Sequence, residues 1–131
     1  MPTMENFYLE ATETTPTIIF DAQRNVLDMK GTSYPENTSA FYSPVFVWLE
    51  EYFAKLEQGD VTVNLEIVYF NSGSSKILLD FFDLLDDAAF RGTTITVNWM
   101  YDTDDEDMLE YGEEFYADFK RLNFHFLPKT E

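Results

Sequence analysis

Three stretches of this chain carry side chains able to do chemistry. The first is Asn71-Ser72-Gly73-Ser74-Ser75-Lys76, a run of hydroxyls between an extended apolar segment and a helical one. Hydroxyls at such an elbow sit in a surface loop beside a helix N-terminus, whose free N–H groups favour negative charge. A phosphoryl group added there would change the surface by nearly two charges without touching the core. The same residue types also serve simply as helix caps, so the capping role stands beside the switch role. The second stretch is Asp102-Thr103-Asp104-Asp105-Glu106-Asp107. Counted from Asp102, carboxylates fall at positions one, three, five and, with Glu113, twelve of a calcium loop. Position six needs glycine for its sharp turn and here is Asp107. A solvated helix start, where acids complement the dipole, is the simpler account. The third is His125, the only histidine, in an apolar strand with no nucleophile or acid partner marked out for it. The serine run lacks the G-x-S-x-G pattern of a hydrolase elbow, and Gly73 stands alone rather than in a phosphate-cradling loop. No catalytic residue, metal ligand or cofactor site follows.

The elements that hold these residues are read from periodicity. Val61 to Phe70 is a strand, alternating in its first half and continuously apolar at Ile67-Val68-Tyr69-Phe70, which places it centrally with both faces covered. Ile77, Phe81, Leu84 and Ala88, flanked by Leu78, Phe82, Leu85 and Ala89, mark a helix over Ser75–Arg91 with a C-cap at Gly92. Before it, Phe7–Leu9, Thr17–Phe20 and Val26–Lys30 are short strands, the second and third joined through Asp21–Asn25. Gly31 to Asn37 reads as loop. Thr38 or Ser39 caps a helix whose apolar face is Phe41, Val45, Trp48, Leu49, Tyr52, Phe53 and Leu56. Pro44 in its first turns predicts a displaced or kinked start. Thr94–Tyr101 is a strand. A third helix carries Leu109, Phe115, Phe119 and Leu122, and Phe124–Leu127 is a last strand before Pro128. The order is βββαβαβαβ, an α/β domain with a mixed sheet, an opening antiparallel hairpin and helices packed on it.

At 131 residues the chain is expected to be one domain, spanning 1–131. Thirteen Phe, eight Tyr and two Trp supply a core of large side chains. The net charge of −17 argues against nucleic acid and anionic membrane surfaces, whose phosphates it would repel. With no cysteine, thiolate catalysis, disulfides and cysteine-ligated metals are excluded. Met1-Pro2-Thr3-Met4-Glu5 lacks the basic start and apolar run of a signal peptide, and a cytoplasmic location is expected.

Gly31-Thr32-Ser33-Tyr34-Pro35-Glu36-Asn37, Tyr69-Phe70-Asn71-Ser72-Gly73-Ser74-Ser75-Lys76, Trp99-Met100-Tyr101-Asp102 and Asp105 to Phe115 together resemble the SiaC family of bacterial regulatory phosphoproteins. The resemblance is collinear over most of the chain and implies a single STAS-like domain, similar to anti-sigma-factor antagonists. It implies that a hydroxyl directly after the elbow Asn is reversibly phosphorylated, by a dedicated protein kinase and a PP2C-type phosphatase. The unphosphorylated form would bind and activate a diguanylate cyclase. By position the acceptor is Ser72, where the best-known version has Thr, with Ser74 the second choice. Gly73 stands where a hydroxyl residue is more usual. Partner contacts are expected at Tyr34, Pro35, Glu36, Asn37, Asn71, Ser72, Gly73, Ser74 and Lys76. Two other expectations stay open: an anti-sigma antagonist acting on transcription, and a small acidic metal-dependent enzyme using Asp102–Asp107.

Overall fold

The computed structural model describes residues 4–56 and 59–130. Met1–Thr3, part of the segment read for targeting, lie outside them. The elements are β1 (Phe7–Leu9), β2 (Thr17–Asp21), β3 (Val26–Ser33), α1 (Thr38–Leu56), β4 (Asp60–Phe70), α2 (Ser72–Phe90), β5 (Thr94–Asp102), α3 (Glu106–Asp118) and β6 (Asn123–Lys129). All six strands join one sheet in chain order. β1, β2 and β3 pair antiparallel, and β3 through β6 pair parallel. The expected βββαβαβαβ order and mixed sheet are what the molecule has, with β4 inside the sheet between β3 and β5. Three crossovers step the same way along the sheet, so right-handed connections set all three helices on one face.

That face holds the core. Val61, Val63, Leu65 and Ile67 of β4 alternate inward, joined by Leu27, Met29, Ile95, Val97 and Trp99 from its neighbours. Above them lie Val45, Leu49 and Phe53 of α1, Leu78, Phe82 and Leu85 of α2, and Phe115 of α3. The opposite face carries a side-chain ladder across three parallel strands. Asn98 Nδ2 donates to Asn64 Oδ1 at 2.8 Å, and Asn64 Nδ2 donates to Asp28 Oδ1 at 2.7 Å. Several boundaries differ from the periodicity. β3 runs on to Ser33 through residues read as loop, because it keeps pairing with β4. α1 is capped by Asn37, not Thr38 or Ser39: its Oδ1 accepts from Ala40 N–H at 3.0 Å. The helix is not displaced by Pro44, which lies exposed within it while Tyr42, Val45 and Trp48 pack on either side. The third helix ends at Asp118, so Leu122 is buried from the turn that follows it. Pro128 lies in β6, an edge strand, where a missing N–H breaks no ladder.

One core group gives the fold an alkaline limit. The Tyr52 hydroxyl on α1 donates to Asn25 Oδ1 in the turn between β2 and β3. Burial, helped by the Asp21 carboxylate, pushes its pKa up to about 12. The folded state therefore holds this proton more tightly than the unfolded chain, whose tyrosines titrate near pH 10. The associated stability is complete below pH 10 and drains away as the pH rises toward 12. Urea midpoints measured across that window should fall for the wild type and fall less for Tyr52→Phe. Parallel curves would remove Tyr52 as the cause.

Candidate functional site: the strand–helix elbow

Where β4 meets α2, the sheet makes a bulge. Gly31 pairs with Ile67 and Thr32 with Tyr69, so Val68 is an extra residue on β4. A bulge of this kind re-aims the side chains around it. Val68 is 57 % and Tyr69 52 % exposed, on consecutive residues of a strand that alternates up to that point. The apolar run at Ile67–Phe70 therefore does not have both faces covered, as its composition suggested. Tyr69 instead packs edge-to-face on Tyr34, with ring centroids 5.6 Å apart. Phe70 packs on Tyr111 of α3 at 4.9 Å. Tyr34 and Tyr111 are themselves exposed. The result is an aromatic surface at the C-terminal end of the parallel strands, with contributions from the loop after β3, from β4 and from α3.

The elbow lies next to it. Asn71 is extended, at φ −89° and ψ −179°, and caps α2 by accepting the Ser74 N–H on Oδ1 at 2.9 Å. α2 thus starts at Ser72, three residues before the start read from periodicity. Ser72 is the first residue of the helix and is exposed, as are Gly73 and, one turn on, Lys76. Ser74 is 1 % exposed, its hydroxyl bonded to Ser33. Of the two candidate acceptors, Ser72 is therefore the exposed one and Ser74 the buried one. Pro35 is buried as well, while Tyr34, Glu36 and Asn37 are exposed beside it. A Cβ on Gly73 would lie 2.8 Å from Thr38 Oγ1, so the two helix starts approach closely there and a side chain would have to push Thr38 aside. The 34–37 loop and the 71–76 elbow, the two segments expected to meet a partner, are tied together through Ser33, which bonds both Asn71 and Ser74. The surface positions of Val68, Tyr69 and Tyr111 are not marked in the sequence, where Ile67–Phe70 has the composition of a strand covered on both faces.

The acidic loop lies at the same end of the sheet but is occupied locally. Asp105 caps α3, its Oδ1 accepting the Met108 N–H at 3.0 Å. Asp102 Oδ1 accepts the Asp104 N–H at 2.9 Å. Glu106 and Asp107 lie in the first turn of α3, against the positive end of its dipole. Lys129 of β6 reaches back to Glu66. Among the described residues no three acids or histidines converge as a metal site. His125 is exposed on β6, opposite Asn98 in the register. Millimolar calcium or magnesium should leave the melting temperature unchanged. A saturable rise that disappears in Asp102→Asn/Asp104→Asn would show a specific site instead.

Comparison with known proteins settles the family. Residues 9–129 match the SiaC family of regulatory phosphoproteins. The chain belongs to that family. SiaC of Pseudomonas aeruginosa superposes with a TM-score of 0.84 at 31 % identity, over 98 % of this chain and all of that one. A second structure, the P. aeruginosa diguanylate cyclase SiaD in complex with its activator SiaC, matches with a TM-score of 0.83 at 32 % identity. It covers 95 % of this chain and 99 % of the matched one. An uncharacterized protein of P. aeruginosa strain UCBPP-PA14 is 35 % identical over 115 residues, 88 % of this chain and 90 % of that protein. The order and pairing of strands are those of a SiaC protein, and the chain is a regulatory protein by family. Among the described residues no helix is long and apolar enough to cross a membrane.

Proposed function

We propose that this chain is a non-enzymatic, cytoplasmic, single-domain adaptor that binds and activates a diguanylate cyclase while Ser72 is unmodified. A protein kinase phosphorylates Ser72 and so ends the interaction, and a PP2C-type phosphatase restores it. The observation that carries this reading is the position of Ser72. It is the one elbow hydroxyl directly after the capping Asn71, it is exposed, and it follows by three residues Tyr69, whose exposed ring packs on Tyr34. Exposed aromatics gathered in one patch supply the contact area from which binding hot spots are made. The surrounding protein is strongly acidic, at −17, so a partner fits best with an apolar centre and a basic rim. A dianion placed at Ser72 enters that contact as a like charge on an already acidic surface. The SiaC solved with the SiaD cyclase supports the choice of partner class.

The test has two arms. Phosphopeptide mapping after kinase treatment should find the modification on Ser72. Affinity purification with wild type, Ser72→Ala and Ser72→Asp should retain a cyclase on the first two and less of it on the third. Stoichiometric phosphate nowhere in Asn71–Lys76 would end the switch. Retrieval of an anti-sigma kinase in place of a cyclase would move the protein to transcriptional partner switching.

A further inference from the structure

Beneath the exposed acceptor lies a closed ring of hydrogen bonds. The Ser33 carbonyl accepts the Asn71 N–H at 3.2 Å. Asn71 Oδ1 accepts the Ser74 N–H at 2.9 Å. The Ser74 and Ser33 hydroxyls then meet at 2.7 Å and close the circuit. Ser33 and Ser74 are 3 % and 1 % exposed, so water does not compete for the bond between their hydroxyls. Ser72 and Gly73 form the exposed arc between the two residues that are tied down. Ser33 is also the last residue of β3, directly before Tyr34 of the aromatic surface. The ring therefore gives the acceptor and Tyr34 a common anchor. Tyr42 of α1 bonds the Ser33 hydroxyl at 2.6 Å from outside the ring.

We propose that Ser33 and Ser74 are positioning residues for phosphoryl transfer to Ser72. This rests on Ser72 being the acceptor. In that transfer Ser72 Oγ bonds to the γ-phosphorus of ATP, the bond from that phosphorus to the ADP oxygen breaks, and the hydroxyl proton leaves to a base on the kinase. The reaction needs the nucleophile in line with the bond that breaks, and small misplacement of a reacting atom slows such steps steeply. An acceptor on a free N-terminal turn samples many orientations. The ring removes that freedom before the kinase arrives, without using any atom of Ser72 itself.

The experiment compares Ser33→Ala, Ser74→Ala, the double variant and Tyr42→Phe, all full-length, with ATP and the kinase that modifies the wild type. Opening the ring should lower kcat roughly tenfold while KM stays within about twofold, because the substitutions remove buried hydroxyls and no exposed side chain that a kinase could contact. The double variant should be no slower than either single one, since each opens the same ring. Tyr42→Phe loses a buried hydroxyl but keeps the ring, and should hold its kcat. Amide hydrogen exchange on the free proteins should quicken at Asn71 and Ser74 in the ring variants, while the amides of β4 and β5 keep their protection. Equal losses in Tyr42→Phe, or faster exchange throughout the sheet, would show ordinary core bonds and overturn the proposal. Unchanged kcat in Ser74→Ala, with the wild type modified on Ser72, would overturn it and leave the switch standing. A wild type unmodified at Ser72 would overturn both.

Discussion

Phe82→Ala should be the most damaging single substitution in the core, lowering stability by about 3–5 kcal/mol. Phe82 is fully buried on α2 and is where the packing of the molecule converges. Its ring meets Phe115 of α3 at 4.8 Å, Phe124 of β6 at 5.5 Å and Trp99 of β5 at 6.4 Å. Phe119, in the turn after α3, is a further neighbour at 5.9 Å. Truncation removes the shared surface of two helices and two strands, and aromatic walls on so many sides cannot all move in to fill the space. A domain of this size is stable by about 5–15 kcal/mol in total, so the loss is a large fraction of it. Urea denaturation, with the slope checked against the wild type, measures it. A decrease below about 1 kcal/mol would mean that α3 settles onto β5 without Phe82.

The burial of Phe82 is legible in the order of residues along the chain. The two apolar stripes beginning at Ile77 and Leu78 cannot both face water, and Phe82 falls in the second. The strand–helix alternation likewise has one economical solution, a sheet with helices laid across it. Helix starts are harder to read. Asn37, Thr38 and Ser39 are all capping types, as are Asn71 and the serines after it, and residue type alone does not rank them. The backbone decides, since it is the asparagine in each case that stands outside the helix with its amide oxygen over the first turn.

A start for α2 placed at Ser75 hides the burial of Ser74. Extended back to Ser72, the helical period places Ser74 one turn before Leu78 and two before Phe81, on the core stripe. Ser72 falls one turn before exposed Lys76. The exposure of Ser72 and the burial of Ser74 therefore follow from spacing once the cap is known. The surface role of Val68 and Tyr69 does not. A bulge is a property of the pairing between two strands, and nothing in one strand's composition distinguishes an extra residue from a strand covered on both sides. Tyr111, on another helix, joins the patch only through its contact with Phe70.

A phosphoryl group on Ser72 should weaken cyclase binding by on the order of a hundredfold, with the fold unchanged. On the folding side the modification is mild. Ser72 is exposed at the first position of α2, where negative charge meets the positive end of the helix dipole. The bonds that hold the elbow run through Ser33, Asn71 and Ser74 and leave the Ser72 side chain free. Thermal stability should stay the same or rise slightly. On the binding side the modification is severe, because Ser72 follows Tyr69 by three residues and that ring packs on Tyr34 in an exposed apolar patch, so the charge enters the same end of the molecule. Closing that contact over a dianion strips its water, and acids of the chain offer it no compensation. An ill-placed charge in an interface costs several kcal/mol, and about 3 kcal/mol corresponds to a little over a hundredfold in affinity. Titration calorimetry of the unmodified and the enzymatically phosphorylated protein against the purified cyclase gives the ratio directly. Ser72→Ala should bind as the wild type does, and Ser72→Asp should fall between, since one carboxylate carries about half the charge and fewer oxygens. Tyr69→Ala should weaken binding with Ser72 unmodified, because the patch is then the contact itself. Equal affinities for the phosphorylated and unmodified proteins would separate the modification from cyclase binding, and a lowered melting temperature on phosphorylation would mean that the charge acts by loosening α2.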